Sequence, residues 1–169
     1  MAIARVLLAA VAAPLAAAAA SPIANEPTLS ADAALQALAG ALEHCRSEGQ
    51  HVSVTVVDAA GRVKAAVRDD GAAPHTAEHS LRKAYTALSY RMPSADYGKR
   101  AAQAKGVAIG PQLLPNITTA AGGVPIRAGG ATIGAIGVSG TPTSSGGGEG
   151  DAKCAAAGVE LVEKRLTER

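Results

Sequence analysis

The sequence of 169 residues contains no tryptophan, no phenylalanine and only three tyrosines. A chain with so few aromatic rings has no stacking platform for the bases of single-stranded nucleic acid. Its formal net charge of +2 is also too small to attract a polyanion. We therefore expect no nucleic-acid partner, and a core built from aliphatic side chains and alanine.

Cysteine is nearly absent: the chain has two, Cys45 and Cys154. Two cysteines do not by themselves establish a disulfide, because the sequence does not show that their Cα atoms are close. If they pair, the bridge closes a long loop and stabilises the fold by roughly 3–5 kcal/mol in the chain-entropy model. The alternative is two buried thiols that pack as small apolar side chains, and the sequence leaves both open.

The sequence has one long apolar run, MAIARVLLAAVAAPLAAAAA, at residues 1–20. Arg5 precedes an apolar stretch that ends in alanines, which is the pattern of a secretory signal peptide cleaved before Ser21. The run is weakly apolar and broken by a proline, which argues against a membrane span, although an uncleaved N-terminal anchor is the alternative. We expect a periplasmic or secreted protein with a signal peptide at 1–20, a flexible tail at 21–30 and one domain at 31–169.

Periodicity in the rest of the chain predicts helices and strands in a regular order. Ser30 suits the N-cap of a first helix that carries a leucine stripe. Residues 51–58 and 62–69 alternate apolar and polar side chains around a DAAG turn, which predicts a hairpin with one buried face. Two further strands are predicted at 124–128 and 131–139, followed by a last helix. Consecutive strands joined by tight turns form an antiparallel sheet, so the predicted class is α+β with helices on one face.

Two of the four histidines, His75 and His79, lie four residues apart where another helix begins. A zinc site needs three or four converging ligands, and Glu78 or Asp70 is the candidate to add a carboxylate to the two imidazoles. Thr76, however, is a suitable N-cap, which places His75 in the preceding loop. That prediction separates the pair and weakens the case for a two-histidine metal site.

Other motifs are incomplete. GGATIGAIGVSG, residues 129–140, has glycine spacing like a phosphate loop, but it lies within a predicted strand that no helix follows. The strand glycines instead predict close approach of a packed helix or a flat ligand. Ser139 lies in GVSGT and not in a G-x-S-x-G nucleophile elbow. His44 and His51 flank the end of the first helix and are interpreted as exposed polar residues that suit the helix dipole.

Four segments, in this order, resemble the GlcG/HbpS family of small haem-binding proteins: VSVTVVDAAGRVKAAVRDDGA, RKAYTALSYRMPS, GGVPIRAGGATIGAIGVSGT and DAKCAAAGVELV. The resemblance covers residues 35–166, and GAAPHT is similar to an exported subgroup. It implies a profilin-like fold, in which helices pack on an antiparallel sheet, and a homo-oligomer. It also implies haem as a ligand: some members bind haem, and others are linked to haem degradation, to iron and redox sensing, or to glycolate operons.

A haem-binding member needs an axial ligand, an apolar slot and cations for the propionates. Because the chain has no C-x-x-C-H motif, the resemblance implies non-covalent haem b. His75 is the first candidate for the axial ligand, with His79 and Tyr85 as second choices. The other candidates are cations for the propionates and glycines that form a wall for the porphyrin: Arg82, Lys83, Arg91, Gly134 and Gly137.

Three functions stay open. The favoured one is a binding protein for haem storage, transfer or sensing. The second is an enzyme that degrades haem oxidatively and releases iron, although no flavin or nicotinamide motif is present to supply electrons. The third is a non-haem oligomeric module that works with a membrane sensor or transport partner. A bare iron site is a further alternative, because carboxylates and imidazoles suit iron and the following residues are close in sequence: Asp69, Asp70, His75, Glu78 and His79.

Overall fold

The computed structural model describes residues 24–103, 114–142 and 148–167. The elements are α1 (Ala31–Ser47), β1 (Ser53–Asp58), β2 (Val63–Arg68), α2 (His75–Tyr90), α3 (Ser94–Gln103), β3 (Gly123–Ala128), β4 (Ala131–Ser139) and α4 (Glu149–Thr167). The strands form one antiparallel sheet in the order β2-β1-β4-β3. The predicted α+β class is confirmed. The predicted signal peptide lies outside the described residues, and no helix within them is long and apolar enough to cross a bilayer.

Helices cover both faces of the sheet, whereas the sequence predicted one covered face. All six residues of β1 are buried. Val54 and Val56 belong to the main apolar core with α1 and α4. Val57 belongs to a second cluster with alanines of α2. The sheet is therefore the middle layer of three, and α2 lies on the face opposite the two terminal helices.

The polar residues of β1 explain why the sequence predicted an exposed face. Ser53 and Thr55 alternate with valines, but their hydroxyls hydrogen-bond to Thr76 and Ser80 of α2 at 2.8 and 2.7 Å. Buried hydroxyls are tolerated when each has a partner. The polar residues of β1 therefore face a second layer, helix α2. From the sequence pattern alone, a polar face that packs on a helix looks the same as a polar face exposed to water.

Glycines of β4 allow this close packing. A Cβ on Gly137 would collide with the backbone of Ser80 and Ala84 in α2. A Cβ on Gly134 would lie 2.5 Å from the carbonyl oxygen of Val57 and close to the side chain of Leu29. Both glycines are buried, so the packed-helix interpretation is confirmed at Gly137, and neither position offers the open porphyrin wall that was predicted.

The end of the predicted flexible tail is part of the core. Leu29 is 1% exposed and its N–H donates to the carbonyl oxygen of Ile133 at 2.9 Å. The hydroxyl of Thr28 accepts a hydrogen bond from the β1–β2 turn. The predicted cap is confirmed, because Ser30 Oγ accepts from the Ala33 N–H at 3.2 Å. The folded unit therefore begins before residue 30.

Cys45 of α1 and Cys154 of α4 form a disulfide, with Cα atoms 5.5 Å apart. Both side chains are buried where the two helices pack against the same face of the sheet. The bridge joins positions separated by 109 residues. The structure therefore selects the disulfide from the two alternatives that the sequence left open.

Candidate functional site

The helix that carries His75 and His79 begins earlier than the sequence predicted. His75 is its first residue, and Pro74 occupies the N-cap position without a side-chain cap. Thr76, the predicted N-cap, is buried in the first turn, where its hydroxyl donates to a backbone carbonyl at 2.6 Å and pairs with Ser53. The predicted separation of the two histidines is therefore wrong, because the contact with β1 takes the hydroxyl that was expected to cap the helix.

His75 and His79 line a single cleft of about 410 Å³, here called the histidine cleft. It lies between the first turns of α2, the end of β4 and the first turn of α4. Alanines and glycines supply its apolar wall, and its polar lining consists of His75, Thr76, His79, Lys83, Ser139, Thr141 and Asp151. The fold therefore places two imidazoles, a buried ion pair and several hydroxyls around one opening.

The ring of His79 is half-buried and contacts hydroxyls at both nitrogens. Nδ1 lies 3.3 Å from Ser139 Oγ, and Nε2 lies 3.3 Å from Thr118 Oγ1. Burial, assisted by the nearby charge of Lys83, lowers the pKa of His79. The imidazole is therefore neutral at neutral pH, which is the form that binds metal ions. His75, by contrast, is exposed at the mouth of the cleft.

Lys83 is placed in the cleft but does not present a free charge to a ligand. Its Nζ lies 2.6 Å from Asp151 Oδ2 and donates to the carbonyl oxygen of Val138 at 3.0 Å. Burial lowers the pKa of Lys83, and the charge of Asp151 opposes that shift. The other oxygen of Asp151 accepts from the Thr141 N–H at 2.9 Å. The pair therefore joins α2, β4 and α4 at the floor of the cleft and is not arranged as a propionate partner.

The other predicted site residues on α2 lie away from the histidine cleft. Arg82 forms an ion pair with Glu78 on the outer side of the helix. Tyr85 and Arg91 line a separate cavity of about 520 Å³ beside the β1–β2 and β3–β4 turns. Residues three or four apart share a helix face, and Tyr85, six residues after His79, lies on a different face of α2. The fold thus brings together His75, His79 and Lys83 from the predicted set and separates the rest.

A groove between α1 and α4 contains His44, which was predicted to be an exposed polar residue. This α1–α4 groove has a volume of about 490 Å³, and His44 and Lys164 line it. Leu161, which is 52% exposed, adds an apolar wall together with Gly40 and Ala157. The small residues of the two helices, Gly40 and Ala157, could have indicated such a groove in the sequence. They come together only because α1 packs against α4.

The residues predicted for a bare iron site do not converge. Asp69 is buried and binds the guanidinium of Arg46, with Nε and Oδ2 3.1 Å apart. Glu78 is engaged by Arg82 on the outer side of α2. In the described segments, no group of three His, Cys, Asp or Glu side chains is placed to hold a metal ion. These potential metal ligands are therefore close together in the sequence but do not form a cluster in the structure.

Comparisons with known proteins agree with this fold. A family model described as "Haem degrading protein HbpS-like" matches residues 29–160. A crystal structure of a double mutant of HbpS from Streptomyces reticuli is 36% identical, with a TM-score of 0.76 over 89% of this chain and 97% of that chain. The Klebsiella pneumoniae protein ORFY is 26% identical, with a TM-score of 0.76 over 86% and 97% of the two chains.

A more distant likeness concerns the fold alone. The crystal structure of a PduOC:heme complex is 24% identical, with a TM-score of 0.69 over 79% of this chain and 94% of that chain. No curated protein matches the chain significantly.

Proposed function

The chain belongs to the HbpS-like family, and from this premise we propose that it is an exported protein that binds haem without a covalent bond. The family supports haem as the ligand, and PduOC, which shares the fold, was solved in complex with heme. The observation that carries the proposal is the position of His75 and His79 on one helix, lining one cleft. Haem storage, transfer or sensing is the role that such reversible binding serves.

We propose His75 as the axial ligand of haem b. Its exposure at the mouth of the histidine cleft leaves room for a flat macrocycle to approach the ring. His79 is half-buried, and both of its nitrogens contact hydroxyls, so a porphyrin reaches it less easily. A neutral imidazole is a suitable iron ligand.

The propionates have partners other than Lys83. The first turn of α2 has no side-chain cap, although the Thr76 N–H donates to the carbonyl oxygen of Ala73, and the N–H groups at a helix N-terminus favour carboxylates. Arg82 lies outside the cleft, but it is two turns after His75 on the same side of α2, and its partly exposed ion pair with Glu78 can exchange partners at little cost. The start of α2 therefore offers an imidazole and propionate partners within a few residues.

The α1–α4 groove is a second seat for the same ligand. His44 lies there beside Leu161 and two small residues. These residues form an apolar wall that is larger than the one in the histidine cleft. Haem pockets combine an axial ligand with an apolar enclosure. The two seats differ in the histidine that they require.

Titration of the purified protein with haemin tests both the ligand and the seat. We expect a shifted Soret band and a red-brown colour, and weaker binding in His75→Ala, with His51→Ala, which lines neither the histidine cleft nor the α1–α4 groove, as the matched control. A Soret shift lost only in His44→Ala would move the seat to the α1–α4 groove. An unchanged haemin spectrum in the unmodified protein would reject haem binding.

Oxidative haem degradation is the second candidate function, and the description of the matching family favours it. The reaction needs oxygen and an external electron donor, because the sequence has no flavin or nicotinamide motif to supply electrons. Incubation with haemin and ascorbate in air tests it: loss of the Soret band with iron captured by a chelator supports an enzyme. Intact haem after long incubation supports a binding protein.

Export and assembly are further parts of the proposal. The Cys45–Cys154 disulfide supports an oxidising compartment such as the periplasm, and N-terminal sequencing of the mature protein checks cleavage after residue 20. Exposed leucines on α1 and α4 support a homo-oligomer: Leu35, Leu161 and Leu166. Light scattering measures the subunit number, and crosslinking in cells tests for a membrane sensor or transport partner.

A further inference from the structure

The histidine cleft is also suited to a metal ion without a porphyrin. Because α2 begins at His75, the residues His75 and His79 are both helical and one turn apart. Side chains at this spacing are neighbours, with Cβ atoms about 5–6 Å apart, and two imidazoles four residues apart form the helical half of known zinc sites. We propose that His75 and His79 bind a divalent transition-metal ion, Cu²⁺ or Zn²⁺, in the histidine cleft.

Ser139 determines which nitrogen of His79 is available to the ion. Its hydroxyl is buried and lies 3.3 Å from Nδ1. Metal-binding histidines usually donate the N–H of the second ring nitrogen to an oxygen, which fixes the tautomer. With Nδ1–H donated to Ser139, Nε2 carries the lone pair. The contact of Nε2 with Thr118 is equally long at 3.3 Å, but Thr118 is less buried than Ser139 and its hydroxyl also accepts from the Ala120 N–H, so a metal–nitrogen bond can replace the hydrogen bond to Thr118.

The charges around the two imidazoles leave them accessible to a cation. Lys83, the cation beneath them, is neutralised by Asp151 at 2.6 Å. The positive end of the α2 dipole opposes a cation, but this effect is modest and falls off within one turn. Cu²⁺ and Zn²⁺ are the appropriate ions because imidazole suits both, and Cu²⁺ is bound most tightly of the first-row divalent ions.

The site is open and is not a structural zinc site. Within the described residues, no third His, Cys, Asp or Glu side chain completes it, whereas structural zinc sites have four protein ligands. Glu78 would complete a His-x-x-Glu-His zinc-hydrolase motif, but it pairs with Arg82 on the outer side of α2. The remaining coordination positions are therefore left to water or to a small ligand, and the ion is exchangeable.

The test is a titration of haem-free protein with Cu²⁺ and with Zn²⁺, in competition with a chromophoric chelator. We expect one ion per chain, with binding lost in His75→Ala and in His79→Ala. The other two histidines supply matched controls, and His44→Ala and His51→Ala keep the site. His79→Gln provides a second variant if His79→Ala folds poorly by circular dichroism. The electron paramagnetic resonance spectrum of bound Cu²⁺ should show coupling to two imidazole nitrogens.

Ser139→Ala tests the orienting role separately. Loss of a partner that orients a ligand weakens metal affinity by about 10–100-fold, and we expect a loss of that size with the two-nitrogen spectrum retained. Unchanged affinity in Ser139→Ala would overturn the orienting role.

The outcomes separate this site from haem binding. Equal metal affinity in the unmodified protein, His75→Ala and His79→Ala would overturn the site, and so would a loss confined to His44→Ala or His51→Ala. Uptake of one Cu²⁺ with an unchanged haemin spectrum would support the metal site and reject haem binding. A Soret shift without metal uptake would support haem binding and overturn the metal site.

Discussion

Lys83 of α2 and Asp151 of α4 form a buried ion pair, with Nζ and Oδ2 2.6 Å apart and side chains 2% and 5% exposed. The pair connects two helices that lie on different faces of the sheet, and it forms the floor of the histidine cleft. It also explains why a lysine on the predicted binding helix is unavailable to a ligand. Its partner is 68 residues away in sequence.

Removing one member of this pair should destabilise the protein strongly. Asp151→Ala leaves the Lys83 charge buried without a partner, and such a change costs about 3–5 kcal/mol. The free energy of unfolding in urea measures the loss. Glu78→Ala, which breaks the partly exposed pair with Arg82, is the control and should change stability little. A loss in Asp151→Ala no larger than in the control would contradict a structural role for the pair.

The disulfide should contribute a comparable amount of stability. In the chain-entropy model, a bridge that closes a loop of about 100 residues stabilises by about 4–5 kcal/mol. The double variant Cys45→Ala with Cys154→Ala should therefore unfold at lower urea concentration than the unmodified protein. A reductant should lower the stability of the unmodified protein alone. Equal sensitivity of both proteins to the reductant would show that the bridge is not the cause.

Local patterns in the sequence predicted most elements of the fold. The Ser30 cap, the turn at 58–61 and the strand at 131–139 all follow from local chemistry, and the structure confirms them. Two errors, the exposed face of the sheet and the Thr76 cap, have one physical origin. Ser53 and Thr76 are polar residues that a local rule assigns to solvent or to a cap, and both are buried because they bond to each other across two elements.

The candidate site shows the same limit. His75 and His79 were identified from their spacing, but their common cleft depends on β4 and α4. Arg82 and Lys83 are adjacent in sequence and have opposite environments, since one is on the outer side of α2 and the other is buried beneath α4. Gly137 was a candidate ligand wall, yet α2 itself covers it. A single sequence indicates residue types for a site, whereas packing decides which of them face the same space.

A methyl group on Gly137 should separate α2 from the sheet. The added Cβ would meet the backbone of Ser80 and Ala84, which cannot rotate away, and overpacking of this kind costs typically 1–3 kcal/mol. Gly40→Ala is the matched control, because its Cβ would collide with the end of the exposed Leu161 side chain, which can move, and would make an ordinary van der Waals contact with Gly158. Thermal unfolding should show a clear loss for Gly137→Ala and none for Gly40→Ala. Equal melting temperatures would contradict the close approach of α2.

Acid should destabilise the protein partly through Asp69. A hydrogen bond from the Arg46 guanidinium lowers the pKa of the buried Asp69 carboxyl, and this effect outweighs the opposing effect of burial. A carboxyl with a lowered pKa in the folded state stabilises the fold fully above its unfolded-state pKa, about 3.9 for aspartate. That contribution is lost as the pH falls through the lower pKa of the folded state.

The variant Asp69→Asn isolates this contribution. It should be less stable than the unmodified protein at pH 7. The difference should shrink as the pH falls below about 4 and through the lower folded-state pKa of Asp69, because protonation then removes the charge by which the two chains differ. Urea unfolding measured from pH 7 to pH 3 gives the two curves. Asp96→Asn, which removes a carboxylate exposed beside Lys99, should give a curve nearly parallel to that of the unmodified protein. If Asp69→Asn also ran parallel throughout, the link from α1 to the loop after β2 would not depend on the carboxylate charge.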